Sequence, residues 1–272
     1  MTVTSGLARK RSDKAASSIP NWVLGAAGVA TLLVLLEILP RIGVVDSRFL
    51  PPVSEMFLAL GTLAQNASFW LALLHTLVTW ASGLAITIIL GVIIGILLGN
   101  IKWLRDFTAS TIEFLRPVPS VALIPVAVLL FGPNMTATLF LVIYAAFWQV
   151  LIQVMAGVQD VDPVVADTAR SYRFSQATRL RTVIWPTTLP YAMTGARLAA
   201  SVALVLAVTG ELLVSGEGIG GLLARARESG AVANMYGYII VTGALGLLVN
   251  QLARGIESKT LFWHPSMRKE SN

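Results

Sequence analysis

The sequence of 272 residues contains no cysteine and only two histidines, His75 and His264. Without cysteine there is no disulfide framework, no thiolate nucleophile and no cysteine metal site. No HExxH, GxSxG or paired-carboxylate pattern is present either, so hydrolytic chemistry has little to draw on. Lysine is scarce: Lys10, Lys14, Lys102, Lys259 and Lys269 follow Arg, Asp, Ile, Ser and Arg. None follows glycine, which excludes a Walker A phosphate loop. Charge of any kind is thin, at 12% of residues, about half the share usual in a soluble domain. Against these absences stand 56% hydrophobic residues and a mean hydropathy of +0.75. So little polar surface cannot cover a water-facing globule of this size, and a bilayer is the simple alternative solvent.

Long charge-free runs locate the membrane spans. Ala15–Leu36, Met56–Ile101, Pro117–Gln159 and Ser229–Ala253 contain no Asp, Glu, Lys or Arg. A hydrocarbon core of about 30 Å takes roughly 20 helical residues. The first run holds a span at 22–40. The second is too long for one helix: its first part, through Gln65-Asn66-Ala67-Ser68, reads as a polar approach to a span at 69–99. The third breaks at the turn signal Gly132-Pro133-Asn134, giving spans at 117–131 and 135–158. A fifth, carrying Arg197 and Glu211, is expected at 189–213, and a sixth at 233–253. The prediction is an all-α integral membrane protein with six spans within 21–260, flanked by tails 1–20 and 261–272. Arg9, Lys10, Arg11 and Lys14 resemble the basic start of a signal peptide. No small-residue cleavage site follows, however, so the first helix is expected to be retained.

Basic residues set the orientation. With the N-terminus in the cytoplasm, 16 of the Lys and Arg residues lie inside, and Arg41, Arg48, Arg225 and Arg227 lie outside. Cytoplasmic loops are the ones that accumulate such charge. The net charge of +6 thus reflects topology and not a nucleic-acid surface. An even number of spans puts both termini in the cytoplasm.

The loop 159–188 carries the clearest functional signal. Asp162-Pro163 opens a helix: the carboxylate can accept free backbone N–H groups, and proline fits the first turn. A helix-like stretch over 164–180 follows, with Val165, Ala169, Tyr172 and Ala177 broadly on one side. Pro186 and Pro190 are read as ending one helix and beginning the next. Two readings fit such an exposed helix: a lever for a partner protein, or a surface helix on anionic lipid.

Ala166-Asp167-Thr168-Ala169-Arg170-Ser171-Tyr172-Arg173, with Val183-Ile184-Trp185-Pro186 and Leu189-Pro190, resembles the EAA loop of type I ABC-importer permeases. Leu115-Arg116-Pro117-Val118-Pro119 with Ala122-Leu123-Ile124-Pro125, and Phe49-Leu50-Pro51-Pro52, resemble signatures of the nitrate/sulfonate/taurine group. Ala156-Gly157-Val158, Gly195-Ala196-Arg197 and Gly210-Glu211-Leu212-Leu213 also fit. The resemblance covers roughly residues 45–260. It implies a cytoplasmic coupling helix that receives force from a separate ATPase dimer. It further implies a second permease subunit, a homodimer before a heterodimer, and an extracytoplasmic substrate-binding protein. ATP and Mg would sit on the ATPase, with no cofactor in this chain. The coupling residues carried over are Asp162, Pro163, Asp167, Thr168, Ala169, Arg170, Arg173 and Pro186. The pattern is departed from at Asp167 (Glu in the family), Thr168 (Ala) and Arg173 (Gly), and Thr79 stands where many relatives have Arg. The implied activity is import of a small, anionic solute of the nitrate, sulfonate or taurine kind. Alternatives are a heterocyclic vitamin precursor, or a membrane scaffold without transport.

Polar residues within spans complete the candidates, because they are costly there and face protein or water. Glu211 is placed at the outer mouth of the pathway, or paired with Arg225 or Arg227. His75 and Gln153 are pathway or packing residues. Arg197, near the inner end of its span, fits an anion site, a gate or a headgroup contact. Gly216-x-Gly218-x-x-Gly221 matches a dinucleotide fingerprint by letter, but no strand precedes it and a flexible turn is expected. Gly91, Gly95 and Gly99 form a small-residue face for close helix packing. Glu37 and Arg41 are spaced for an ion pair.

Overall fold

A computed structural model describes residues 20–262. The basic N-terminal residues Arg9 to Lys14 and the tail from His264 onward lie outside the described residues. Every regular element among the described residues is helical. The chain divides into two compact units, Met1–Glu55 and Met56–Asn272.

In the first unit, α1 (Asn21–Arg41) fills the predicted span. Its apolar side chains, Trp22, Val29 and Leu32 among them, are exposed along its length. The Glu37–Arg41 ion pair forms at 2.7 Å. Glu37 also accepts the Ser54 N–H and hydroxyl, each at 2.9 Å.

Helix α2 (Val53–Leu63) begins in the last residues of the first unit; the second holds the rest of it, then α3 (Ala67–Asn100), α4 (Lys102–Leu115), α5 (Ile124–Phe131), α6 (Met135–Gln159) and α7 (Pro163–Ser171). A continuous helix α8 (Gln176–Ser215) comes next, then α9 (Gly218–Glu228) and α10 (Val232–Thr260). Among the described residues, five helices are long and apolar enough to cross a membrane, or six if α4 and the segment Ser120–Phe131, bent by 86°, count as one.

Four features depart from the sequence expectation. Both α2 and α4 are helices where no helix was anticipated. The stretch 117–131 is not one straight helix: Pro117 and Pro119 lack the N–H needed to continue α4, so the chain turns through a short 3₁₀ segment, Ser120–Leu123, into the eight-residue α5. The expected helix 164–180 is divided at Tyr172–Ser175. Its second half belongs to α8, which runs through Pro186 and Pro190 instead of stopping at them. A π turn over Leu180–Ile184, in which Trp185 N–H reaches back to Leu180 O, immediately precedes the prolines. The extra residue re-registers the backbone just where donors are about to be lost.

Helix α6 is the centre of the unit. Gly83, Gly91, Gly95 and Gly99 of α3 lie against Val142, Val150, Val154 and Val158 of α6 at a constant sequence offset. A Cβ on any of these glycines would come within 2.5–2.7 Å of a valine atom. The constant offset means that α3 and α6 run parallel. On its other side α6 meets α8 in reverse order: Gly210 packs on Thr138, Gly195 on Gln153 and Gly157 on Tyr191, so these two run antiparallel. Small residues at such contacts let backbones approach closely, which is the main source of helix association where lipid removes the hydrophobic driving force. Helix α4 is tied to the same centre, as Tyr144 OH donates to Leu115 O at 2.7 Å. Arg105 donates to Gly99 O at the end of α3, at 3.1 Å.

Candidate functional site

Two regions collect the sequence-predicted residues, and they lie at the two ends of α8. The first is the elbow between α6 and α8. Asp162 caps α7 by accepting Val164 N–H at 2.7 Å, with Pro163 in the first turn. Ala169 is buried and fixes the inner face of α7, while Val164, Val165 and Tyr172 are exposed. Asp167 and Arg170 form an exposed ion pair at 2.7 Å, and Thr168 bonds back to Val164 O.

The helix ends at Arg173, which has a φ of 55°, the left-handed geometry normally left to glycine. Arg173 N–H bonds Arg170 O at 2.9 Å and Phe174 N–H bonds Ala169 O at 3.0 Å. That pair of bonds is a Schellman closure. Arginine thus stands in the turn in place of the family's glycine and keeps the geometry a glycine would give. Ser175 then caps α8 through Thr178 N–H. Asp160 accepts the Tyr191 hydroxyl at 2.7 Å, tying the end of α6 to α8 behind the elbow. Pro186 lies within α8, separate from α7.

The second region is built around Glu211, whose side chain is fully buried. It opens a π turn, Glu211–Ser215, closed by Gly216 N–H on Glu211 O. Its Oε2 accepts the Thr76 hydroxyl at 2.7 Å and Gly220 N–H at 3.2 Å. Thr76 in turn accepts Ile219 N–H at 2.9 Å. His75 stands beside it, Nδ1 3.5 Å from Glu211 Oε1 and Nε2 2.8 Å from Glu217 Oε2. The loop from Gly216 to Gly221 folds around the carboxylate. Gly216 and Gly218 have φ of +64° and +71°, and a Cβ on Gly218 would lie 2.2 Å from the Glu211 carboxyl carbon. A Cβ on Gly221 would meet Gly216 O at 2.0 Å. The expected flexible turn is therefore a formed cradle, in which Gly218 and Gly220 lie against the buried acid. The partners of Glu211 are Thr76, Gly220 and His75, not Arg225 or Arg227.

The remaining candidates lie apart from this cluster. Arg197 is held between α8 and α10, with Asn250 Oδ1 and Glu257 Oε2 each at 3.3 Å. Gln153 is half-buried on α6 at the Gly195 contact. Thr76, Glu217 and Gly220 escaped the sequence reading. Their signal was the glycine spacing, which matched a nucleotide motif by letter and belongs to a carboxylate instead.

A parallel–antiparallel helix core, an exposed capped elbow and a buried acid at the far end of one long helix define a helical membrane subunit. The model of the family described as "Binding-protein-dependent transport system inner membrane component" matches residues 88–261, and the chain belongs to that family. Within it the chain is an ABC-importer permease of the nitrate/sulfonate/taurine group. It is similar to the putative aliphatic sulfonates transport permease protein SsuC of Bacillus subtilis, with 28% identity over 90% of this chain and 89% of the relative. It is also similar to the taurine transport system permease protein TauC of Escherichia coli, with 29% identity over 87% of this chain and 89% of the relative. Its fold matches a chain of a bacterial ABC transporter that imports the acidic polysaccharide alginate, with a TM-score of 0.63 and 14% identity over 89% of this chain and 96% of that one.

Proposed function

We propose that this chain forms half of an ATP-driven import pathway for a small organic or inorganic anion, and that α7 is the coupling helix on which a cytoplasmic ATPase docks. The observation that carries this reading is α7 itself. It is short and exposed, stopped at one end by Asp162 and at the other by the Arg173 closure, and anchored at Ala169. A helix fixed in this way moves as a rigid body, and it is continuous through one turn with α8, so displacement at the elbow reaches the spans. ATP and Mg belong to the ATPase. Two copies of this chain line the pathway, and an extracytoplasmic binding protein delivers the solute.

The parallel register of α3 and α6 supports six crossings. Two parallel spans require the chain between them to return across the bilayer, which favours the bent pair α4 and α5 as that crossing. The 16 basic residues counted on the inner side then support a cytoplasmic position for α7 and both termini. The sulfonate and taurine named for the relatives share a compact, strongly acidic anion, which is the solute class inferred here.

The test replaces Asp167–Arg173 with Gly and Ser. The expected result is loss of ATPase co-purification and of solute uptake, with the membrane subunit still inserted. Uptake and assembly that survive the replacement would sink the coupling assignment. Thermal-shift screening of the cognate binding protein against sulfonates, nitrate and vitamin precursors tests the solute class.

A further inference from the structure

Helix α4 presents two opposite faces. At about 100° per residue, Trp103, Phe107 and Phe114 fall on one side of it and Arg105, Glu113 and Arg116 on the other. The aromatic rings are exposed, as the rings of a lipid-facing stripe are. The charged face borders a cavity of about 530 Å³ between α4 and α6, lined by Arg105, Glu113, Arg116 and Pro117 and backed by Ile152 and Met155. Small-molecule sites occupy about 300–1,000 Å³.

The register of α4 sets the depth of this cavity. Arg105 donates to Gly99 O, and Gly99 lies against Val158 of α6. At the other end of α4, Leu115 O accepts the Tyr144 hydroxyl. Between Val158 and Tyr144 α6 spans about 21 Å, so α4 climbs antiparallel to α6 and carries Arg116 far from the elbow. By sequence Arg116 counts among the inner-side charges. On the crossing read above, it stands within the hydrocarbon core. A charged side chain there is costly unless it faces protein or a water-filled space, and the cavity lies on its side of the helix. Among the described residues Arg105, Glu113 and Arg116 form no ion pair. Two guanidiniums against one carboxylate leave the lining net positive.

We propose that this cavity is an anion vestibule of the import pathway, in which Arg116, with Arg105 nearer the elbow, receives a small oxoanion such as a sulfonate. The guanidinium fork matches the paired oxygens of such a group. Glu113, three residues before Arg116 on the same face, opposes tight capture. A pathway site has to attract its solute firmly enough to admit it and weakly enough to let it leave. The vestibule rests on the import reading and names residues that receive the anion; it does not involve α7.

The absence of native cysteine makes the test direct. Met155→Cys puts a lone thiol in the cavity. Gln65→Cys is the control, exposed and inside the charge-free run Met56–Ile101. Each full-length variant, in phosphatidylcholine nanodiscs, is treated with 2-sulfonatoethyl methanethiosulfonate and with its trimethylammonium counterpart. The ratio of the two rates reports the local field and cancels thiol reactivity. At Met155→Cys the sulfonate-to-ammonium ratio is expected to exceed the control ratio by at least about tenfold, since a charged cleft concentrates its counter-ion. Adding Arg116→Gln brings the excess to within about twofold, and Arg116→Lys keeps most of it. A native excess below about twofold overturns the vestibule, and so does an excess that persists in Arg116→Gln. Should Arg116→Gln fail to fold, Glu113→Gln decides: with both guanidiniums unopposed the ratio has to rise, and an unchanged ratio overturns the assignment. Repeating the native measurement with phosphatidylglycerol in the nanodiscs separates a free anion from a lipid headgroup. An excess that survives supports the vestibule, whereas its loss assigns the cavity to lipid and overturns it. The thermal-shift screen of the binding protein reports the solute class without this chain, so that reading and the vestibule fail separately.

Discussion

The two ends of α8 solve the same geometric problem with opposite chemistry. Each carries a π turn and a neighbouring residue with positive φ, Arg173 before α8 and Gly216 after it. At the elbow the left-handed residue faces solvent, and a long charged side chain is accommodated. At the far end Gly218, also left-handed, is pressed against the buried carboxylate and Gly221 against the Gly216 carbonyl, with no room for a single methyl group at either, while Gly216 itself has open space beside it. The lesson is that a left-handed turn fixes the residue type only where the space beside the backbone is already taken.

Substitutions can break or sharpen this contrast. The largest effect is expected at Gly221→Ala, whose Cβ would meet the Gly216 carbonyl oxygen. Backbone cannot give way as a side chain can, and the yield of monodisperse protein in size-exclusion chromatography should fall at least about tenfold. Glu211→Ala comes next. It leaves Gly220 N–H without its acceptor and the Thr76 hydroxyl with only the longer bond to Ala72 O at 3.2 Å, and a loss of about 3 kcal/mol is expected in detergent thermal unfolding. Glu211→Gln keeps an acceptor in place and should lose less than half of that; equal losses would show that charge, not hydrogen bonding, shapes the cradle. Gly95→Ala at the α3–α6 contact should cost about 1–3 kcal/mol by overpacking against Val154.

At the exposed elbow the effects shrink or change sign. Arg173→Gly relieves left-handed strain and should be neutral or stabilising by up to about 1 kcal/mol, read by the same unfolding assay. A clear destabilisation there would mean that the guanidinium makes contacts the turn depends on. Asp167→Asn removes an exposed ion pair and should change stability by less than about 0.5 kcal/mol. Any loss of ATPase co-purification in that variant would therefore report docking and not folding.

Much of the helical frame was legible because hydrophobicity and helix length speak together in a membrane. Thus α6 begins at the predicted residue, and α3 differs by two residues at its start. Two of the misses share one cause. Helix α4 carries Lys102, Arg105, Asp106 and Glu113, and α10 continues through Arg254, Glu257 and Lys259, so a charge-based boundary stops where the helix does not. The prolines of α8 misled for a different reason: a π turn upstream cannot be seen in composition. Of the site, Asp162 and Glu211 stood out as single residues. The cluster that gives Glu211 its meaning did not, since Thr76 and Glu217 lie far from it in sequence or look ordinary beside it.

The stripe of glycines on α3 has one further consequence. Its members stand four or eight residues apart, while an α-helix turns once in 3.6, so the line of contact with α6 winds by about 40° per four-residue step. Two rods meshed along such a line behave as a thread and its nut. Helix α6 cannot slide along α3 without also rotating. A slide of one step, about 6 Å, would press Val142 on Thr87 in one direction, and Val142 on Thr79 and Val150 on Thr87 in the other. A pull delivered to this pair is therefore carried by both helices together and is not lost in creep between them.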